Sequence, residues 1–220
     1  MKIREIDLDE ANELLLSKNP AFKNEVSRDL KLFSEAGSIL LYEGTTELET
    51  LQIGQDVIIV DGNLIVKDYI QDCNGTDASL LIVFGDVRCR NLITLSGMFI
   101  TGSLHAERTV LGDSLCDYVL KVGGDLTAKT IVNGGHFFET LGTIKADHIL
   151  NTNGNVSDKN GVLRPNLADS DLMYDFTENP EAYKGFSYVE LIDDVQKGGH
   201  YNLPRTIVFM KNGGEVFYKE

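Results

Sequence analysis

The stretch VGGDLTAKTIV, Val122–Val132, decides the reading of this chain. After Gly124, apolar residues stand at every second position, Leu126 and Ala128, and the phrase closes on the apolar pair Ile131 and Val132. Alternation with period two is the mark of a strand with one buried face. The phrase returns as LGTIKADHIL, Leu141–Leu150, with Gly142 standing 18 residues after Gly124.

Working outward, five copies are found, led by Gly62, Gly85, Gly102, Gly124 and Gly142, at spacings of 23, 17, 22 and 18 residues. Aligned on the glycine, the copies form columns. Two residues after it stand Leu64, Val87, Leu104, Leu126 and Ile144; four after it, Val66, Cys89, Ala106, Ala128 and Ala146. Eight after it stand Ile70, Ile93, Val110, Val132 and Leu150. Two and four before it the columns are again apolar, with Thr140 the one polar member. One copy cannot bury its apolar side alone, whereas stacked copies join each column into a continuous core. A repeat of about 20 residues matches one coil of a parallel β-solenoid. The glycine fits a bend between strands, where permissive backbone or the lack of a side chain is needed. The fold expected is mainly β: a parallel β-solenoid (β-helix) of about five coils over 56–150, with a helical cap and lead-in strands over 1–55. A polar, turn-rich linker follows over 151–165, then a C-terminal α/β cap segment over 166–220.

The flanks differ in kind. IDLDEANELLLSKN predicts a short helix capped by Asp7 or Asp9. PAFKNEVSRDLKLFSEAG predicts a second helix with Phe22, Val26, Leu30 and Phe33 on its apolar face and Gly37 at its stop. The stretch between these helices and Gly62 returns to strand character, and Gly44, 18 residues before Gly62, marks a degenerate first turn. Open solenoid ends expose strand edges that invite polymerisation, so the helices are candidates for one cap. LPRTIVFMKNGGEVFYKE predicts a β-hairpin turning at Asn212-Gly213-Gly214.

The formal net charge is −14 and the pI about 4.6, which argues against a nucleic-acid binder with its basic face. Cys73, Cys89 and Cys116 form no CxxC pair, and Cys89 falls in an inward column as a small buried hydrophobe. A charged N-terminal stretch without a leader pattern, and no apolar run near the roughly 20 residues of a membrane span, make a cytoplasmic protein the expectation.

The search for chemistry yields little. His105, His136, His148 and His200 show no zinc-ligand spacing. There is no phosphate-binding glycine motif and no acyltransferase hexapeptide repeat. A Ser/His/Asp triad stays open, though no GxSxG elbow is present. NGGH, 133–136, reads as a tight turn. Asp86 and Asp125, each one residue after its glycine, would lie two rungs and so roughly 9–10 Å apart, too far for one metal and at the edge of an inverting carboxylate pair. No catalytic residue, cofactor or metal is assigned. Outward positions three and five after the glycine carry Arg88, His105, Lys145, Lys67, Arg90 and Lys129 among others, either a mixed-charge solvated side or a contact for a partner's acids.

Two acidic surfaces are candidates for docking a partner. The C-terminal segment carries Asp169, Asp171, Tyr174, Asp175, Glu178, Glu181, Asp193 and Asp194, either a solvated cap or a partner-binding surface. The longer connections of alternate coils carry Asp72, Asp77, Asp113 and Asp117.

The glycine-led phrases GNLIV, GDVRC, GSLHA, GDLTA and GTIKA resemble the coils of bactofilins, bacterial polymer-forming β-helix proteins. They are also similar to solenoid-type immunity proteins of polymorphic toxins. The resemblance covers about 56–150 and implies a solenoid core and a bacterial source; it transfers no catalytic residue. Sizeable amphipathic segments flank the core here, where bactofilins have short tails around a bare core. The expectation is a non-enzymatic, acidic protein-binding protein, an immunity protein masking a basic toxin, monomeric or dimeric rather than filamentous. The alternatives are a bactofilin-like polymer-forming scaffold and a β-helix carbohydrate-active enzyme.

Overall fold

The structure is a computed structural model that describes residues 2–18, 23–73, 78–114, 118–151, 156–163, 172–174, 210–212 and 216–218. The chain opens with β1 (Lys2–Ile6), α1 (Leu8–Lys18) and α2 (Lys23–Ser34). Six coils follow. The first holds β2 (Ile39–Glu43), β3 (Thr46–Leu48) and β4 (Leu51–Gln52), the second β5 (Val57–Asp61) and β6 (Leu64–Gln71). The third holds β7 (Leu80–Val83) and β8 (Val87–Thr94), the fourth β9 (Gly97–Ile100), β10 (Leu104–Ala106) and β11 (Thr109–Gly112). The fifth holds β12 (Val119–Val122) and β13 (Leu126–Asn133), the sixth β14 (Phe137–Thr140) and β15 (Ile144–Asn151). Then come β16 (Val156–Asp158), β17 (Gly161–Val162), β18 (Leu172–Tyr174) and β19 (Val216–Tyr218).

The first strand of every coil joins one parallel sheet, β2-β5-β7-β9-β12-β14-β16; the rest of each coil joins a second parallel sheet. The second sheet bends between its two halves, so each coil has three sides. The chain is therefore a parallel β-solenoid. Its first turn is the one led by Gly44: Thr46 pairs with Leu64 and Leu48 with Val66, which extends the solenoid back to Ile39. The 151–165 stretch adds β16 and β17 to the first sheet.

The predicted columns are the pairing register. Leu64, Val87, Leu104, Leu126 and Ile144 stand rung upon rung, as do Val66, Cys89 and Ala106, and Ala128 with Ala146. The column eight after the glycine is corrected. Ile70 pairs with Leu92, Leu92 with Val110, Val110 with Ile131 and Ile131 with Ile149. The inward residue thus stands eight after Gly62 and Gly102 but seven after Gly85, Gly124 and Gly142. The coils led by Gly62 and Gly102 carry one surplus residue at the bend, seen as a register shift between Val66 and Tyr69 and as the gap between β10 and β11. Ile93, Val132 and Leu150, placed inward by the fixed offset, face outward instead.

Close approach, rather than unusual dihedrals, explains most of the glycines. A Cβ on Gly102 would stand 2.6 Å from the carbonyl oxygen of Gly85 one coil below. Only backbone fits there, and the Gly102 N–H donates to that carbonyl at 3.0 Å. Gly44 differs: its φ of 78° is the left-handed region, which glycine enters without a Cβ penalty.

The two helices form as read. Asp7 Oδ1 accepts the Glu10 N–H at 2.8 Å, the expected N-cap bond. Val26, Leu30 and Phe33 are buried; Phe22 lies outside the described residues. The helices sit on the outer face of the first sheet, where Ala11, Leu15, Val26, Leu30 and Phe33 form a second core with Val57, Ile59, Leu80, Ile82 and Phe99. The edge itself is closed by β1, which pairs antiparallel with β2. At the other end β17 closes the first sheet by pairing antiparallel with β16.

The expected C-terminal hairpin is corrected. Met210 and Lys211 are helical, and β19 pairs antiparallel with β18 rather than with the residues just before the turn. β18 begins at Leu172, 44 positions before β19 begins at Val216, a long-range pairing that local turn chemistry does not encode.

Candidate functional surface

The residue after each corner glycine has a structural task. Asn63 Oδ1 accepts the N–H of Asp86 at 2.9 Å, and Asp86 Oδ1 that of Ser103 at 2.8 Å. Ser103 Oγ accepts the N–H of Asp125 at 3.1 Å, and Asp125 Oδ1 that of Thr143 at 2.8 Å. Asp158 acts differently: its Oδ2 accepts the Ile144 N–H of the coil before it at 3.2 Å, in the place of the backbone carbonyl that takes the Leu126 N–H one coil earlier. At this corner the chain turns out of the first sheet, and a side-chain acceptor takes the amide that the turn leaves over. Asp86 and Asp125 are thus rungs of an Asn/Asp/Ser ladder. Acceptor-bearing residues at every copy, Asn63, Asp86, Ser103, Asp125 and Thr143, were the sequence signal for it.

The outer side of the following strands carries the column Glu47, Ile65, Arg88, His105, Thr127 and Lys145 in register. Charges here pair between coils: Lys67 Nζ meets Glu49 at 2.9 Å and Arg90 meets Asp68 at 2.9 Å. Such exposed pairs contribute little stability. In the last three coils this side holds an open concavity of about 530 Å³ lined by His105, Glu107, Thr127, Lys129, Lys145 and Asp147. Both signs of charge and a floor of alanines make it a mixed polar surface.

Asp72 is not a docking residue. It is fully buried at the corner where the third side returns to the first sheet. Oδ1 accepts the N–H groups of Leu95 at 2.7 Å and Ser96 at 3.2 Å, and Oδ2 accepts Thr94 Oγ1 at 2.5 Å. Burial outweighs these donors and pushes its carboxyl up to about 7. The Ser79 hydroxyl donates to the Asp72 carbonyl, and Ser96 Oγ donates to the Ser79 carbonyl at 2.5 Å. This knot ties the long connection of the second coil to the short one of the third. Asp113 is part-buried; Asp77 and Asp117 lie outside the described residues.

NGGH is the tight turn expected. Asn133 Oδ1 accepts the N–H of Gly135 at 3.2 Å and of His136 at 2.8 Å, and its amide donates to the His136 carbonyl at 2.8 Å. The His136 ring is buried edge-on to Phe138, centroids 5.7 Å apart. Neither ring nitrogen has a hydrogen-bond partner among the described residues. Desolvation lowers its pKa to about 3. Cys89 is buried and its thiol is pushed up by desolvation, so it packs as an inert hydrophobe.

Of the partner-binding candidates, Asp169, Asp171, Asp175, Glu178, Glu181, Asp193 and Asp194 lie outside the described residues; Tyr174 ends β18. Met210–Asn212 lies against the flank of the coil stack. The Met210 carbonyl accepts Asn91 Nδ2 at 3.4 Å, and Lys211 Nζ donates to Gln52 Oε1 at 3.3 Å. Among the described residues, no group of three or more His, Cys, Asp and Glu side chains could hold a metal ion, and no helix is long and apolar enough to cross a membrane.

Fold and surface together define a β-solenoid protein whose first sheet is closed at both edges by an antiparallel strand. The chain matches no protein-family model, no curated protein and no solved structure.

Proposed function

We propose that this chain is a non-enzymatic protein-binding protein, its solenoid a rigid frame for a surface that captures a basic protein partner, as an immunity protein masks a toxin. The observation that carries this reading is the antiparallel closure of the first sheet at both ends, by β1 and by β17. An antiparallel edge strand breaks the parallel register that a further solenoid would have to continue, which favours a discrete particle over a stacked filament. The second sheet opens at one end on β3 and β4, of 3 and 2 residues, too short to template a neighbour, while its other end is β15, of 8 residues, which pairs only with β13 among the described residues. The net charge of −14 favours fast, salt-sensitive capture of a cationic partner. The acids of the C-terminal segment, Asp169 to Asp194, are the proposed contact residues, and the Asp86 and Asp125 carboxylates serve the frame.

The test is light scattering behind size-exclusion chromatography over a concentration series, with electron microscopy of the same samples. Binding to immobilised cationic nuclease domains of bacterial toxins across a salt series is measured alongside. A mass independent of concentration, with capture by at least one such domain that fades as salt rises, is expected. Filaments that lengthen with concentration would replace this reading with the scaffold one.

A further inference from the structure

Among the described residues the Asn-Gly dipeptide stands twice, at 133–134 and at 160–161, in opposite settings. Asn133 is at 0% exposure, its Oδ1 accepts two N–H groups and its amide donates to the His136 carbonyl. The Gly134 N–H donates to the Gly112 carbonyl at 2.8 Å. Asn160 is exposed at the tip of the β16–β17 hairpin, with Lys159, Gly161 and Val162 exposed around it. Its side-chain amide meets only Asp158 Oδ2 among the described residues, at 3.4 Å. Gly161 has a φ of 113°, and no atom lies within 4 Å of the place a Cβ would take. The hairpin is held by two strand pairs, Ser157–Val162 and Asp158–Gly161, and by the Leu163 N–H donating to the Val156 carbonyl at 2.8 Å. So short and exposed a hairpin opens locally at low cost, which frees the Gly161 nitrogen.

We propose that Asn160-Gly161 is a self-modification site, at which deamidation of Asn160 releases β17 from β16. The Gly161 backbone nitrogen attacks the side-chain carbonyl carbon of Asn160. The new C–N bond closes a succinimide ring and the bond to Nδ2 breaks; that nitrogen leaves as ammonia, carrying the proton that Gly161 gives up. Water then adds to either imide carbonyl and opens the ring to aspartate or isoaspartate, with no change of oxidation state. Glycine at 161 allows the close approach, since no side chain shields its nitrogen. Isoaspartate lengthens the main chain by a methylene inside the two-residue loop Lys159–Asn160, and the register of both strand pairs is lost. β16 is then left as the edge of the first sheet, a template for another chain. The modification is independent of what the chain binds, whereas the consequence for stacking rests on the closure argument above.

In the experiment the full chain is held at mildly alkaline pH, folded and in urea, and followed by peptide mass spectrometry. In the folded chain Asn160 is expected to convert about tenfold or more faster than Asn133, which must first open a buried turn. In urea the two rates should converge, both residues being followed by glycine. Hydrogen exchange at the Leu163 amide reports the hairpin. Its protection should be lost in the isoaspartate form and kept in aged Asn160→Gln, whose longer side chain closes the ring far more slowly. Conversion of Asn160 no faster than Asn133 in the folded chain would overturn the proposal, as would a difference that persists in urea. So would an isoaspartate form that keeps the Leu163 protection of the unmodified chain.

Discussion

Asp86 Oδ1 accepts the backbone N–H of Ser103, one coil further on, at 2.8 Å. This bond converts a residue with the chemistry of a catalytic acid into a stacking element. Asp86→Ala leaves the Ser103 amide at the corner without its acceptor and should lower stability by about 1 kcal/mol. Asp86→Asn keeps the acceptor and should be near neutral, as Asn63 already fills the equivalent place one coil earlier. Urea unfolding of the two variants decides it: equal losses would mean that the carboxylate charge, not the acceptor, matters.

The stacked glycines make a second prediction. Gly102→Ala sets a Cβ 2.6 Å from the Gly85 carbonyl, contact with backbone that cannot swing aside. A loss of about 2–4 kcal/mol is expected, or failure to fold. Gly54→Ala has no atom within 4 Å of its Cβ and should be neutral or stabilising by a few tenths of a kcal/mol. Thermal melts of the pair separate packing at the corner from a general effect of removing glycine.

Two buried groups titrate with opposite sign. Asp72 is raised from 3.8 to about 7, so between those values the folded chain holds a proton that the unfolded chain has released, and stability is lost as pH rises. His136 is lowered from 6.5 to about 3, so there the unfolded chain holds the extra proton, and stability is lost as pH falls. Between pH 5 and pH 7 each contributes on the order of 2 kcal/mol, and the two offset each other. Asp72→Asn should therefore make stability rise with pH over that range, and His136→Leu should make it fall. Chemical denaturation at both pH values checks the slopes. Variants that share the parent's slope would show that neither group titrates as its burial implies.

The surplus corner residue explains what could be read from the sequence and what could not. Columns close to the glycine stay in register because the corner ladder fixes them, so Leu64 to Ile144 were legible as a stack. Beyond the bend, a fixed offset fails at Ile93, Val132 and Leu150, because coils led by Gly62 and Gly102 hold one more residue before the chain turns inward. The strand KIREI was hidden by its charges. It is held by long-range partners that local pattern does not carry: pairing with β2, and Lys2 and Arg4 both on Glu43 at 2.8 Å. Helix existence was legible from Val26, Leu30 and Phe33. Their seat on the sheet's outer face was not, because it depends on Val57, Ile59, Leu80 and Ile82 facing outward, and an unbroken apolar run gives no alternation to tell in from out. Asp72 looked like a loop acid because its donors, Thr94, Leu95 and Ser96, come from the next coil.

The bend that accommodates Asp68 in one coil and Arg108 in another also marks where this architecture accepts foreign sequence. The rungs on either side pair unchanged across coils of different length, since Ala106 still meets Cys89 and Val110 still meets Leu92. A short epitope or reporter peptide grafted between Glu107 and Arg108 would thus project from the outside of the stack and leave the coils above and below in place. Spliced into β13 or β15, a graft of odd length would turn the later side chains of that strand to the opposite face.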